Sequence, residues 1–150
     1  MTRPPIPKLV AESACASAVS LAGGASLAFA FGATGSTGSV GELQSPEGWR
    51  VFGWVLVSPL LETLVMGALL SWIFLPRTRS SALAILMSSV VWGLVHGLAD
   101  WISGIANLAN FAVFSFVYVR YLKFGAGWAV LAASITHAIH NSVVATLLVL

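Results

Sequence analysis

Charge is scarce in this sequence. Only 8% of the 150 residues are Asp, Glu, Lys or Arg, seven bases and five acids in all, where an ordinary globular domain carries about 25%. So few ionic groups cannot cover the surface of a soluble 15.7 kDa fold. That excludes a soluble enzyme, a disordered tail and a nucleic-acid binder. The pI near 9.1 rests on so few groups that it carries no information about acidic partners. The single cysteine, Cys15, excludes a disulfide framework and any Cys-based metal site. Also missing are HExxH, a Gly-rich phosphate loop, GxSxG and a Ser/His/Asp arrangement. Zincin, nucleotide-binding and serine-hydrolase readings therefore lack support.

What the sequence has is apolar: 58% hydrophobic residues and a mean hydropathy of +0.93. A membrane-spanning helix needs about 20 mainly apolar residues. Five stretches qualify: Leu9 to Ala33, Val51 to Leu75, Ser81 to Ala99, Trp101 to Leu122 and Phe124 to Leu150. The expected fold is all-α, a polytopic integral membrane helical bundle with about five transmembrane helices and no internal repeat. Thr34 to Arg50 is rich in Gly and Ser and reads as an exposed loop. Pro76 with Arg77 and Arg79 is expected to close the second span, and Asp100 marks a tight turn between the third and fourth.

Six of the seven bases, Arg3, Lys8, Arg77, Arg79, Arg120 and Lys123, fall on one side of such a topology, and only Arg50 on the other. The positive-inside rule then makes the N-terminus cytoplasmic and the C-terminus external, in what is read as the cell (inner) membrane. Trp49, Trp54 and Trp101 near one interface, and Trp72, Tyr121 and Trp128 near the other, fit an aromatic belt. The first span begins like a signal peptide and carries Ala28-Phe29-Ala30, but it is long and contains Glu12, so it is read as a retained helix. Its small residues Ala14, Ala18, Ala22 and Ser26 are expected to pack against a neighbouring helix.

Ionisable groups inside spans are costly, about 2.5–3.5 kcal/mol each on the insertion scale, and are functional hypotheses by default. Here they are Glu12, Glu62, His96, His137 and His140, with Asn107, Asn110 and Asn141 as uncharged companions. Glu12 lies close enough to a span end to reach the interface. Asn107 and Asn110 suit bonds between helices, and His140 is read as a packing histidine. Glu62 sits near the middle of span two, three residues after Pro59, which frees one helical carbonyl. His96 lies toward the outer end of span three. His137 and Asn141, four residues apart, share one face of span five.

Two hydrolytic chemistries fit this set. A carboxylate in an apolar pocket is a better base near neutral pH, so Glu62 can take a proton from water while His96 orients it. His137 and Asn141 can then bind the oxyanion. Alternatively a divalent cation such as zinc is held by Glu62, His96 and His137. A non-catalytic membrane subunit and a haem- or pigment-binding bundle using the histidines as axial ligands are the competing functions.

Three segments carry a family resemblance: Ser58-Pro59-Leu60-Leu61-Glu62-Thr63-Leu64-Val65-Met66-Gly67, Ser88-Ser89-Val90-Val91-Trp92-Gly93-Leu94-Val95-His96, and Thr136-His137-Ala138-Ile139-His140-Asn141. They resemble, in order and each within a span, the Glu-Glu-x-x-x-Arg, Phe-x-x-x-His and His-x-x-x-Asn motifs of the CPBP intramembrane proteases. This is the family of type II CAAX prenyl proteases and bacteriocin-processing, Abi-type proteins. The resemblance runs from about 58 to 148 within a single membrane domain of 1–150, leaving the 9–33 span as an N-terminal addition. It implies a catalytic quartet of Glu62, His96, His137 and Asn141 and an intramembrane endopeptidase acting on a membrane-associated peptide or protein. The family has been described both as metal-dependent and as a glutamate-type protease working without bound metal. Thr63 stands in place of the family's second glutamate and Gly67 in place of its arginine, which keeps an inactive subunit of a larger membrane complex as the alternative. Trp92 replaces the family's phenylalanine.

Overall fold

The computed structural model describes residues 3–31 and 48–149. These form five helical rods and no strand. We number them α1 (Ile6–Ala30), α2 (Trp49–Thr78), α3 (Ser81–Gly97), α4 (Trp101–Tyr121) and α5 (Ala126–Val149). Four of them are long and apolar enough to cross a membrane. The 17-residue α3 is also apolar, but at 1.5 Å per residue it reaches only about 26 Å, a little short of the hydrocarbon core. The helices pack as one bundle. The closest pairing is α3 with α4, and α1 lies against both α4 and α5.

The expected loop at 34–50 lies outside the described residues except for 48–50, which already belong to a helix. The second span ends where Pro76, Arg77 and Arg79 stand, at Thr78, two residues past the proline. Within α2, two segments, Gly53–Val57 and Leu69–Phe74, adopt the wider π geometry, and each ends one residue before a Ser-Pro or Leu-Pro step. The wider turn lets the chain carry a proline without ending the helix. The rod stops at Arg79, whose φ of 53° is left-handed. The Arg77 guanidinium donates to the carbonyls of Trp72 and Ile73 near this end (3.1 and 3.0 Å). Ser80 then caps α3 through the Leu83 N–H, and Asp100 caps α4 by accepting from the N–H groups of Ile102 and Ser103.

The α3–α4 contact depends on glycine. A Cβ on Gly104 would stand 2.6 Å from the Gly97 Cα and 2.7 Å from the Gly93 carbonyl oxygen. Only bare backbone permits this approach, which holds His96 against α4.

One expectation about α1 is corrected. Ala14, Ala18, Ala22 and Ser26 point outward, and the buried face is Leu9, Ser13, Ser17, Ser20 and Gly24. Hydroxyls account for part of the difference: Ser13 donates to the Ala132 carbonyl (3.3 Å), and Ser20 bonds groups on α4 and α5, while Ser17 is buried with no partner among the described residues. Glu12, near the start of α1, has partners of its own. Its carboxylate accepts two bonds from Arg120 (3.1 and 2.8 Å) and one from the Tyr121 hydroxyl (2.9 Å), tying α1 to the end of α4. Tyr121 is consequently buried and is no part of an interfacial belt.

Candidate active site

Helix ends 30, 48, 97 and 149 and the start of α4 all lie at one end of the bundle, opposite the end that carries Arg77, Arg79, Arg120 and Lys123. At this end the five rods enclose a cavity of about 1160 Å³, with Glu62, His96, His137, His140 and Asn141 on its wall. Every ionisable or amide residue singled out at mid-span faces it except Glu12.

Glu62 and two of the histidines converge. Its Oε2 is 4.0 Å from His96 Nε2 and 3.8 Å from His137 Nε2. Both gaps are too long for direct hydrogen bonds and suit one water molecule touching all three groups. The other carboxylate oxygen, Oε1, accepts from the Ser58 hydroxyl one turn earlier on α2. Ser58 thus pins one side of the carboxylate and leaves the other turned toward the imidazoles. It escaped the sequence reading, although an i, i+4 serine before a mid-span glutamate is a visible signal.

The two imidazoles differ. His96 Nδ1 stands 2.9 Å from the Trp92 carbonyl. A carbonyl only accepts, so the proton is on Nδ1 and a neutral His96 ring offers Glu62 a bare Nε2. His137 is 5% exposed, and its Nδ1 finds no hydrogen-bond partner among the described residues. A proton there would be stranded. A neutral His137 places it instead on Nε2, facing the cavity. Packing sets the ring planes: Phe114 stacks on His137 (centroids 4.2 Å, 23°). Phe111 touches both His96 (5.3 Å) and His137 (5.5 Å) and stacks on Trp92 (4.6 Å). These phenylalanines, three apart on α4, were absent from the sequence reading because an apolar pair in an apolar span carries no signal.

Asn141 does not touch Glu62. Its Nδ2 donates to the Trp54 carbonyl (2.9 Å). The reason lies in Pro59. In the π segment the Ser58 N–H bonds the carbonyl of Gly53. The next bond in that register would need an N–H at Pro59, which proline lacks. The Trp54 carbonyl is left free, and Asn141 of α5 takes it.

Where the motif has a glutamate and an arginine, Thr63 and Gly67 are both buried. The Thr63 hydroxyl has no partner among the described residues. A Cβ on Gly67 would stand 2.6 Å from Tyr118 Cε2, so the Tyr118 ring fills the room a side chain would need. Its hydroxyl is bonded to Ser71 (2.9 Å).

As for a metal, two ligands of one tetrahedral zinc stand about 3.3 Å apart, closer than the spacings from Glu62 to the two histidines. Among the described residues no group of three or more His, Cys, Asp or Glu is arranged to hold a metal ion. The present geometry fits a water-sized guest better.

No curated protein and no solved structure matches the chain. A family model does. The description type II CAAX prenyl endopeptidase Rce1-like matches residues 44–143, a segment that contains Glu62, His96, His137 and Asn141 and leaves α1 outside. With two thirds of its length matched and an all-helical membrane fold around the cavity, this chain belongs to the type II CAAX prenyl endopeptidase Rce1-like family of CPBP membrane proteases.

Proposed function

We propose that the protein is an intramembrane endopeptidase that hydrolyses a peptide bond of a membrane-associated substrate with water activated by Glu62. The observation that carries this reading is the approach of Glu62 Oε2 to two imidazole Nε2 atoms, 4.0 and 3.8 Å away, on the wall of one cavity. Family membership suggests CAAX-type proteolysis.

The chemistry follows from the donors and acceptors. A water between Glu62 and His96 gives one hydrogen to the carboxylate and points the other at the bare His96 Nε2, so that a lone pair faces the substrate carbonyl. Glu62 takes the first proton as the oxygen attacks carbon. The carbonyl π pair moves onto oxygen, where the His137 Nε2–H and the second N–H of Asn141 receive it. Collapse of the tetrahedral intermediate breaks the C–N bond, and the proton on Glu62 passes to the leaving amine. Ser58 keeps the carboxylate in place throughout. The test is turnover of a prenylated peptide ending in a CAAX box by purified protein. Glu62→Gln and His96→Ala are each expected to abolish cleavage, and unchanged turnover in either overturns the mechanism.

We read 1–150 as one membrane domain with the basic end cytoplasmic, as the positive-inside rule favours, in the cell (inner) membrane. The cavity then faces the opposite side. A reporter fused at Leu150 tests this, and a cytoplasmic C-terminus reverses it. A second reading, an inactive CPBP-like subunit of a larger membrane complex, is favoured by the neutral, buried Thr63 and Gly67 where the family motif carries charge. A stoichiometric membrane partner together with absent turnover supports it.

A further inference from the structure

The cavity has a second polar wall that the hydrolytic step does not use. His140 Nδ1 lies 3.0 Å from Ser20 Oγ, Ser20 Oγ lies 3.0 Å from Asn110 Oδ1, and Asn110 Nδ2 lies 3.2 Å from Asn107 Oδ1. Asn107 Nδ2 ends the chain 3.0 Å from the Ser103 carbonyl. That last group fixes the direction of every other bond. A backbone carbonyl only accepts, so Asn107 turns its NH₂ toward it and its oxygen toward Asn110. Asn110 must then donate to Asn107 and turn its own oxygen to Ser20, which donates. A hydroxyl has one proton, so at its other contact Ser20 accepts, and His140 Nδ1 carries the hydrogen. The neutral ring is left with a bare Nε2.

Asn107 Nδ2 also reaches Ser103 Oγ (3.3 Å), and among the capacities that the chain leaves uncommitted are the lone pair of His140 Nε2 and the second N–H of Asn110. One acceptor and one donor are the complement of a peptide unit, whose N–H donates and whose carbonyl accepts. Phe114 touches both the His140 ring (5.6 Å) and the His137 ring (4.2 Å), so this wall adjoins the hydrolytic groups. Gly24 lets α1 come close enough for the arrangement, since a Cβ there would stand 2.6 Å from Asn110 Oδ1.

We propose that His140 Nε2 and Asn110 Nδ2 form a backbone-binding subsite for a substrate peptide unit flanking the scissile bond. Ser20 is its positioning residue, holding His140 in the accepting tautomer. The subsite rests on the peptide-hydrolysis reading above. It gives α1, which lies outside the family match, a part in substrate binding.

The test uses full-length protein in detergent micelles with a prenylated peptide ending in a CAAX box. A set of analogues replaces each backbone N–H in turn by an ester oxygen. One ester is expected to raise KM about 5–10-fold, the loss of one hydrogen bond, with kcat much less affected. Ser20→Ala is expected to raise KM for the all-amide peptide by a similar factor and to erase the penalty of that one ester. Ser20→Thr, which keeps the hydroxyl, restores both. Ring ¹⁵N NMR of the wild type should find His140 protonated at Nδ1. The subsite is overturned if no ester is discriminated, if Ser20→Ala leaves KM unchanged, or if the His140 proton resides on Nε2. If the wild type cleaves nothing, the hydrolytic reading fails by itself. Fluorescence titration of the amide and ester peptides into Glu62→Gln then decides the subsite: weaker ester binding supports it, and equal or absent binding overturns it.

Discussion

In the motif resemblance read from the sequence, Gly67 stands where the family has an arginine, and the contacts around it say what putting a side chain there would do. Even alanine places its Cβ 2.6, 2.9 and 3.0 Å from the Cε2, Cζ and hydroxyl oxygen of Tyr118. Ordinary carbon contacts sit near 3.5–4.0 Å, so the ring must move by about an ångström. Tyr118 is only 2% exposed and tethered to Ser71 at 2.9 Å. Movement therefore combines overpacking, about 1–3 kcal/mol, with loss of a hydrogen bond worth about 1 kcal/mol. Gly67→Ala should destabilise the bundle by about 2–4 kcal/mol, read as a lower midpoint in reversible unfolding from mixed micelles. Gly67→Arg, alone or with Thr63→Glu, should be worse. Tyr118→Leu should relieve part of the loss in Gly67→Ala, and the two changes should be non-additive. If Gly67→Ala unfolds like the wild type, or if Thr63→Glu with Gly67→Arg yields a more stable and more active protein while Tyr118 is intact, Tyr118 does not fill the space beside Gly67 in the way the contacts indicate.

Three further outcomes follow from single contacts. Ser58→Ala frees one side of the Glu62 carboxylate, and a bond to a charged acceptor is worth about 1.5–3 kcal/mol. Turnover should fall at least tenfold with little change in unfolding midpoint, whereas unaltered kcat would remove Ser58 from the site. Gly104→Ala drives a methyl into the backbone of Gly97 and Gly93 and should cost about 2 kcal/mol or more, measurable as loss of folded yield and of His96-dependent activity. Glu12→Ala removes the tie to Arg120 and Tyr121 at the end of the bundle away from the cavity. Because Arg120 is half exposed, about 1 kcal/mol is expected, with turnover per folded molecule unchanged; a loss of catalysis would show that the two ends are coupled.

The membrane character, the helical class and the positions of the rods were legible in the sequence, because hydropathy and helix length add up residue by residue along the chain. Glu62, His96, His137 and Asn141 could be named as well, since any ionisable or amide group in hydrocarbon stands out against its neighbours. The freed carbonyl near Pro59 was also visible, and so was the capping turn at Asp100.

Only the packed structure decided how the rods are rotated. In water a helix declares its buried face by an apolar stripe, but in lipid both faces are apolar, and no stripe separates Ser13, Ser17 and Ser20 from Ala14, Ala18 and Ala22. The choice falls to interhelical hydrogen bonds and close backbone contacts, which exist only after assembly. The same holds for Phe111, Phe114 and the chain from Ser20 to His140. Ser20 and the two phenylalanines are unremarkable along the sequence, and the roles of all these residues come from partners that lie as much as 120 positions away. The sequence by itself thus determined the solvent, the helices and the residues able to do chemistry, all from local transfer energies. Tertiary structure decided which of those residues meet, because in a bilayer the specificity of helix packing resides in pairwise contacts.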